Sequence, residues 1–131
     1  MIWVNFVKKY LAAFAAKDLD QLDEIYSDDI TIRDWEDTIS GKEQVLMANK
    51  HLFNITDHIS IHIKDVAYNN KIIFVNVDLI AISGKDKVHL PVMYMVEIND
   101  KGKISYINAF KQYEILWWLR LNKWQVNTLR T

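Results

Sequence analysis

Hydrophobic residues near the start of the chain recur with a helical period. Trp3, Val7, Tyr10 and Phe14 follow one another at steps of four, three and four, the stripe of an amphipathic helix from Ile2 to Ala16 whose buried side carries Tyr10. Asp18 can accept a hydrogen bond from the first turn of a second helix bearing Leu19, Leu22, Ile25 and Tyr26, with Gln21 at the third position as in a capping box. That helix should stop near Ser27. A strand follows at 30–36, in which Ile30, Ile32 and Asp34 share one face and Thr31, Arg33 and Trp35 the other. "SGKE" at 40–43 reads as another capping box, Ser40 with Glu43, opening a third helix through about Phe53 with Val45, Asn49 and Leu52 in line.

From Ile55 the period shortens to two. Ile59, Ile61 and Ile63 alternate with polar residues, and "YNNK", "SGKDK" and "NDKGK" separate three further apolar runs. The pattern predicts four strands of an antiparallel meander. Strands this apolar on both faces imply a sheet covered on both sides, by the helices and by a partner subunit. The tail from 115 to about 128 loses the alternation and predicts a helix or irregular wrap with Trp117, Leu121, Trp124 and Thr128 in line.

Composition narrows the function classes. A chain of 131 residues, half of them hydrophobic, has the size of one domain and can bury a core without staples. No apolar stretch approaches the length of a membrane span, and "MIWVNFVKKY" lacks the order of a secretory signal, so it is expected to be mature structure. Sixteen basic against seventeen acidic side chains lack the electrostatic footprint of a nucleic-acid binder. With no cysteine there is neither disulfide nor thiolate metal site, which fits a cytoplasmic location. His58 and His62 would lie about 13 Å apart along a strand rising about 3.3 Å per residue, too far to share a metal. No metal is expected.

The order helix, helix, strand, helix and four-strand meander resembles the nuclear transport factor two superfamily, which includes ketosteroid isomerases, SnoaL-type polyketide cyclases, scytalone dehydratase and limonene epoxide hydrolase. "KYLAAFAAKDLDQLDEIYSDDITIRDWED", residues 9–37, resembles the opening of ketosteroid isomerases and SnoaL-like proteins: an aromatic in helix one, a "KDLD" break, a helix ending "YSDD", then a strand ending in an acid. The resemblance implies an α+β, cone-shaped nuclear transport factor two-like (cystatin-like) fold. Three N-terminal helices would pack on a curved, mostly antiparallel sheet in a single domain, with core 1–113 and a Trp-rich extension at 114–131.

By the same resemblance, the isomerases' catalytic carboxylate and tyrosine fall on Asp34, as base on a carbon next to a carbonyl, and Tyr10, as donor to the oxyanion. No cofactor is implied. The isomerases carry a protonated aspartate where "LPVMYM" places Met93, and a thioether cannot donate a hydrogen bond, so a steroid isomerase proper is not expected. Epoxide hydrolysis in the superfamily uses an inward arginine beside paired aspartates; Arg33 lies opposite Asp34, and Arg120 and Arg130 are in the tail, which disfavours that chemistry.

Trp35, Phe53, His89, Met93, Met95 and Tyr106 are the candidate ligand-binding residues, with Met93 and Met95 on the concave face and thioethers and aromatics suited to an irregular apolar ligand. On the reverse of that strand, Val92, Tyr94, Val96 and Ile98 are too apolar for solvent and predict a homodimer through the sheet. Asp78 could be a second pocket carboxylate or a charge against wrong strand pairing. The resemblance thus implies a cofactor-independent isomerase, cyclase or dehydratase acting on a hydrophobic carbonyl compound, or else a non-catalytic ligand-binding or dimerisation module of the same fold.

Overall fold

A computed structural model describes residues 2–111 and 126–128. Helix α1 (Ile2–Ala15) leads to α2 (Leu19–Ile25), strands β1 (Tyr26–Arg33) and β2 (Thr38–Ser40), helix α3 (Lys42–Ile55), the meander β3 (His58–Asn69), β4 (Ile72–Ser83), β5 (Asp86–Ile98) and β6 (Ile104–Lys111), and a short β7 (Val126–Thr128). The strands form one sheet in the order β2-β1-β6-β5-β4-β3-β7, antiparallel throughout except where β1 runs parallel to β6.

Both ends of the helical layer are set by local chemistry. The Asp18 carboxylate accepts from the Gln21 amide at 3.1 Å and starts α2 as the capping pattern predicts. The second expected cap differs: Ser40 lies in β2 with its hydroxyl 3.1 Å from Thr31 Oγ1, and Gly41, at φ +94°, occupies the N-cap of α3 without a side-chain bond. At the far end of α3, Lys17 Nζ donates to the carbonyls of Phe53, at 2.9 Å, and Thr56. A lysine on those last carbonyls both satisfies them and complements the helix dipole.

The helices lie on one face of the sheet, α1 against β3 and β4, α3 against β1, and α2 touching both helices. The core joins Val7, Tyr10 and Leu11, Leu22 and Ile25, and Val45 and Phe53 to Ile30, Ile59, Val66, Ile73, Val75, Val77, Val92, Val96, Ile104 and Ile107. Each large apolar side chain so buried stabilises the fold by about 1.5–3 kcal/mol.

This arrangement reverses the expected faces of β5. In β4 one set of alternate residues, Ile73, Val75 and Val77, is wholly apolar while the other carries Asn76 and Asp78, so the apolar set turns to the helices. Opposed residues of an antiparallel pair share a face, and Val75 opposes Tyr94, Val77 opposes Val92, and Asn76 opposes Met93. Val92, Tyr94, Val96 and Ile98 are therefore core rather than dimer surface, and Met93, Met95 and His89 point away from the helices. Tyr106, paired with Glu97 and Thr31, joins them there. On that second face Ala67, Phe74 and Met93 are buried among Ile72, Met95 and Phe110, and a homodimer through the sheet would have to use this side.

The tail also departs from expectation, because Val126–Thr128 is a strand paired antiparallel with Asp65–Ala67 of β3. Trp117, Leu121 and Trp124 lie outside the described residues. No helix among the described residues is long and apolar enough to cross a membrane.

Candidate functional site

Three phenols and one carboxylate come to the helix-facing side of the sheet from four elements. Tyr10 is buried on the α1 stripe, its ring 6.1 Å from that of Tyr26 and 6.4 Å from Phe14, which meets Phe53 of α3 edge-on at 5.2 Å. Tyr26, the first residue of β1, is buried and donates its hydroxyl proton to Asn49 Oδ1 of α3 at 2.7 Å. The Tyr10 ring lies beside that of Tyr26, and the influence of each phenol on the other raises Tyr10 and lowers Tyr26.

Strand register brings Asp34 and Tyr94 together. Arg33 opposes Asn108 across β1 and β6, so Asp34, one residue on, comes beside Ala109, whose other neighbour is Tyr94 of β5. Two strand spacings put the Asp34 and Tyr94 backbones about 10 Å apart on either side of the small alanine. The charge of Asp34 reaches the phenol: burial, then the neighbouring carboxylate, pushes Tyr94 up to about 12. Burial likewise raises Tyr10 well above the ordinary tyrosine value, helped by the nearness of Tyr26 and Tyr94, and raises Tyr26 despite the lowering influence of Tyr10. All three phenols are thus protonated at neutral pH and serve as hydrogen-bond donors, not bases.

Asp34 is exposed, at the open end of β1. Its Oδ1 accepts from the amides of Glu36 and Asp37, each at 2.8 Å, while its own amide donates to the Asp37 carbonyl at 2.9 Å. The side chain thus closes the turn between β1 and β2 as an Asx motif and is itself held in one orientation by it. Trp35 stands exposed in the same turn. Around the pair the surface is apolar, with Ile32, Ile39, Ile61, Ile63, Leu90 and Ala109 half-buried against the core.

Of the residues singled out by sequence, Tyr10, Phe53 and Asp34 lie on the helix-facing side; His89, Met93, Met95 and Tyr106 do not. His89 Nε2 is 3.1 Å from Asp78 Oδ1, which Lys64 Nζ approaches equally closely. Burial alone would raise the Asp78 carboxyl; the hydrogen bonds and charges of Lys64 and His89 outweigh it and hold the group below its usual value. Asp78 is therefore an ion-paired group of the outer face, not a pocket acid. Tyr26, Asn49 and Tyr94 escaped the sequence reading. The signal for Tyr94 lay one strand away, in Asn76 and Asp78, which mark the outer face of β4 and so turn Val92, Tyr94, Val96 and Ile98 to the helices.

No group of three His, Asp or Glu able to hold a metal occurs among the described residues. A profile of the SnoaL-like domain matches residues 7–107, from α1 to the Ile107 position of β6. The chain belongs to the SnoaL-like domain family. No curated protein matches it in sequence.

Solved structures share the fold of this SnoaL-like chain at low identity. A candidate SnoaL-like polyketide cyclase from Shewanella putrefaciens superposes with TM-score 0.77 at 11% identity, over 93% of this chain and 98% of that one. An LEH-like epoxide hydrolase from M. tuberculosis gives 0.76 at 16%, over 92% and 93%. A protein of ketosteroid isomerase-like fold from Catenulispora acidiphila, in complex with trimethylamine, gives 0.70 at 15%, over 79% and 82%. At such identities the likeness establishes the nuclear transport factor two-like architecture, on which many chemistries are built.

Proposed function

We propose that this SnoaL-like chain is a cofactor-independent small-molecule enzyme, of isomerase, cyclase or dehydratase type, acting by acid–base chemistry on a hydrophobic carbonyl compound. The observation that carries the proposal is the row Asp34, Ala109, Tyr94: a fixed carboxylate and a protonated phenol face one apolar surface across a residue small enough to leave room between them. Asp34 would take a proton from the carbon next to the carbonyl, and Tyr94 would donate a hydrogen bond to the oxygen on which negative charge develops. Tyr10, buried and kept protonated beside Tyr26 and Tyr94, would be a second donor. Epoxide opening is not supported, since Arg33 is exposed on the other side of β1 and no other arginine lies among the described residues.

The test is turnover of a panel of apolar enones and ketones by the wild type, Asp34→Asn and Tyr94→Phe. Asparagine keeps an oxygen for the turn, so the fold should survive while proton abstraction is lost. Turnover should fall by about two to three powers of ten in Tyr94→Phe, the usual cost of one oxyanion donor, and at least as far in Asp34→Asn. Unchanged turnover in Asp34→Asn would remove the mechanism.

A second reading, a binding module without chemistry, is favoured by the exposure of Asp34, whose Oδ1 is already taken up by the amides of Glu36 and Asp37. Native mass spectrometry of freshly isolated protein separates the two: a retained apolar compound with no turnover on the panel supports the module.

A further inference from the structure

On the outer face of the sheet, burial is confined to a narrow band. Asp65 and Ala67 of β3, Phe74 and Asn76 of β4 and Met93 of β5 are buried in the single chain, Asn76 at 0% and Met93 at 2% exposure. They fill two neighbouring rows of the ladder: Asp65 opposes Asn76 and Asn76 opposes Met93, while Ala67 opposes Phe74 and Phe74 opposes Met95. Beyond these rows the same face is open. His62 and Pro91, which flank Asp78, are exposed, as are Ser60 and His89 in the next row and Asn69 on the other side. A bare sheet face would not enclose Met93 while leaving Pro91, two residues away on the same side, in water. The helices occupy the opposite face and β7 extends the sheet in its own plane, so neither covers the band.

The band runs between two points on the chain. Phe110, opposite Met93, is the residue before β6 ends at Lys111, and Asp65 and Ala67 pair with Thr128 and Val126 of β7. Residues 112–125 link β6 to β7 across four strand spacings, about 19 Å, which fourteen residues span at either about 3.3 or about 1.5 Å each. The three residues after β7 reach about 10 Å, short of Met93 three spacings away at about 14 Å. The composition of the link suits an apolar face, with Trp117, Trp118, Leu119, Leu121 and Trp124. A second copy suits it less, because a stable interface takes about 800 Å² from each partner, far wider than two rows over three strands. The row beside the band instead carries the ion group of Lys64, Asp78 and His89. We propose that the occupant of the band is the chain's own segment 112–125, so that the outer face is used within one chain and is not open to a homodimer through the sheet. The proposal stands independently of the chemistry assigned to the helix-facing side.

The methyl groups of Met93 and Met95 are the reporters, read by NMR in two samples of the whole wild-type chain. In uniformly carbon-13-labelled protein, nuclear Overhauser effects should connect the Met93 and Met95 methyls to protons of residues 112–125. In an equal mixture of labelled and unlabelled protein, an isotope-filtered experiment sees only contacts between chains, and there the Met93 methyl should give no signal. A filtered signal at the Met93 methyl would put a second copy on the band and overturn the proposal. Absence of any effect between these methyls and residues 112–125 in the first sample would overturn it equally.

Discussion

At the scale of single residues, the buried pair Tyr26 and Asn49 matters most, because a phenol out of reach of water depends on one side chain as its acceptor. Tyr26 sits at 1% exposure with its hydroxyl on Asn49 Oδ1, so replacing Asn49 by leucine leaves a buried phenol without its acceptor. The expected cost is about 1–3 kcal/mol, visible as a lower denaturant midpoint at unchanged slope. A midpoint unchanged in Asn49→Leu would mean that the Tyr26 hydroxyl does not depend on that amide. Asp34 shows how far a sequence speaks at this scale. Its alternation with Ile30 and Ile32 was legible, but the strand expected over 30–36 stops at Arg33, and the exposure of Asp34 and its bonds to Glu36 and Asp37 depend on the exact length of the turn. Tyr94 was illegible for another reason: a tyrosine among valines fits a core, an interface or a site equally well until the strand opposite has chosen its face.

Among the elements, helix α3 is anchored at both ends by features that local propensity does not favour. Gly41 holds φ +94°, and a Cβ there would come within 2.4 Å of Gln44 Oε1. Gly41→Ala is therefore expected to destabilise by more than about 1 kcal/mol, mostly through the backbone, since the flexible Gln44 side chain can move aside. Lys17→Met should cost about 0.5–1.5 kcal/mol by uncapping the carbonyls of Phe53 and Thr56 while keeping the aliphatic stem. Thermal unfolding of both variants checks these values, and a Lys17→Met protein as stable as the wild type would show the cap to be ornamental. The helices and the meander were legible from period alone. The choice of faces in β5 was not, because Met93 and Met95 are nearly as apolar as Val92 and Val96, and the deciding polar residues, Asn76 and Asp78, lie one strand away.

For the whole molecule, the three phenols tie the site to stability. The chain has six tyrosines, and Tyr10, Tyr26 and Tyr94 are all raised. In the unfolded chain a phenol ionises near pH 10, whereas in the folded protein these three stay neutral. Their contribution is therefore complete below about pH 10 and is lost as the pH climbs through about 12 and beyond. Phenolate absorbance should show these three groups titrating late, or together with alkaline unfolding. Ordinary titration of every tyrosine near pH 10 in folded protein would contradict the burial described. The fold class was readable in full because helical and strand periods, caps and turns agree with one another along the chain. The site was readable only in outline, since a site is made by register between distant strands, which no local pattern encodes.

The most direct test of the account concerns Asp34 and Tyr94, which must share one hollow for any of the proposed chemistry to hold. Tyrosine labelled with carbon-13 at the ring Cζ reports the ionisation of Tyr94 by NMR, followed upward in pH as far as the fold persists, in the wild type and in Asp34→Asn. Removal of the carboxylate should let Tyr94 begin to ionise at lower pH, because the negative charge that opposes phenolate formation is gone. Superimposable titrations of the two proteins would mean that the acid and the phenol do not meet.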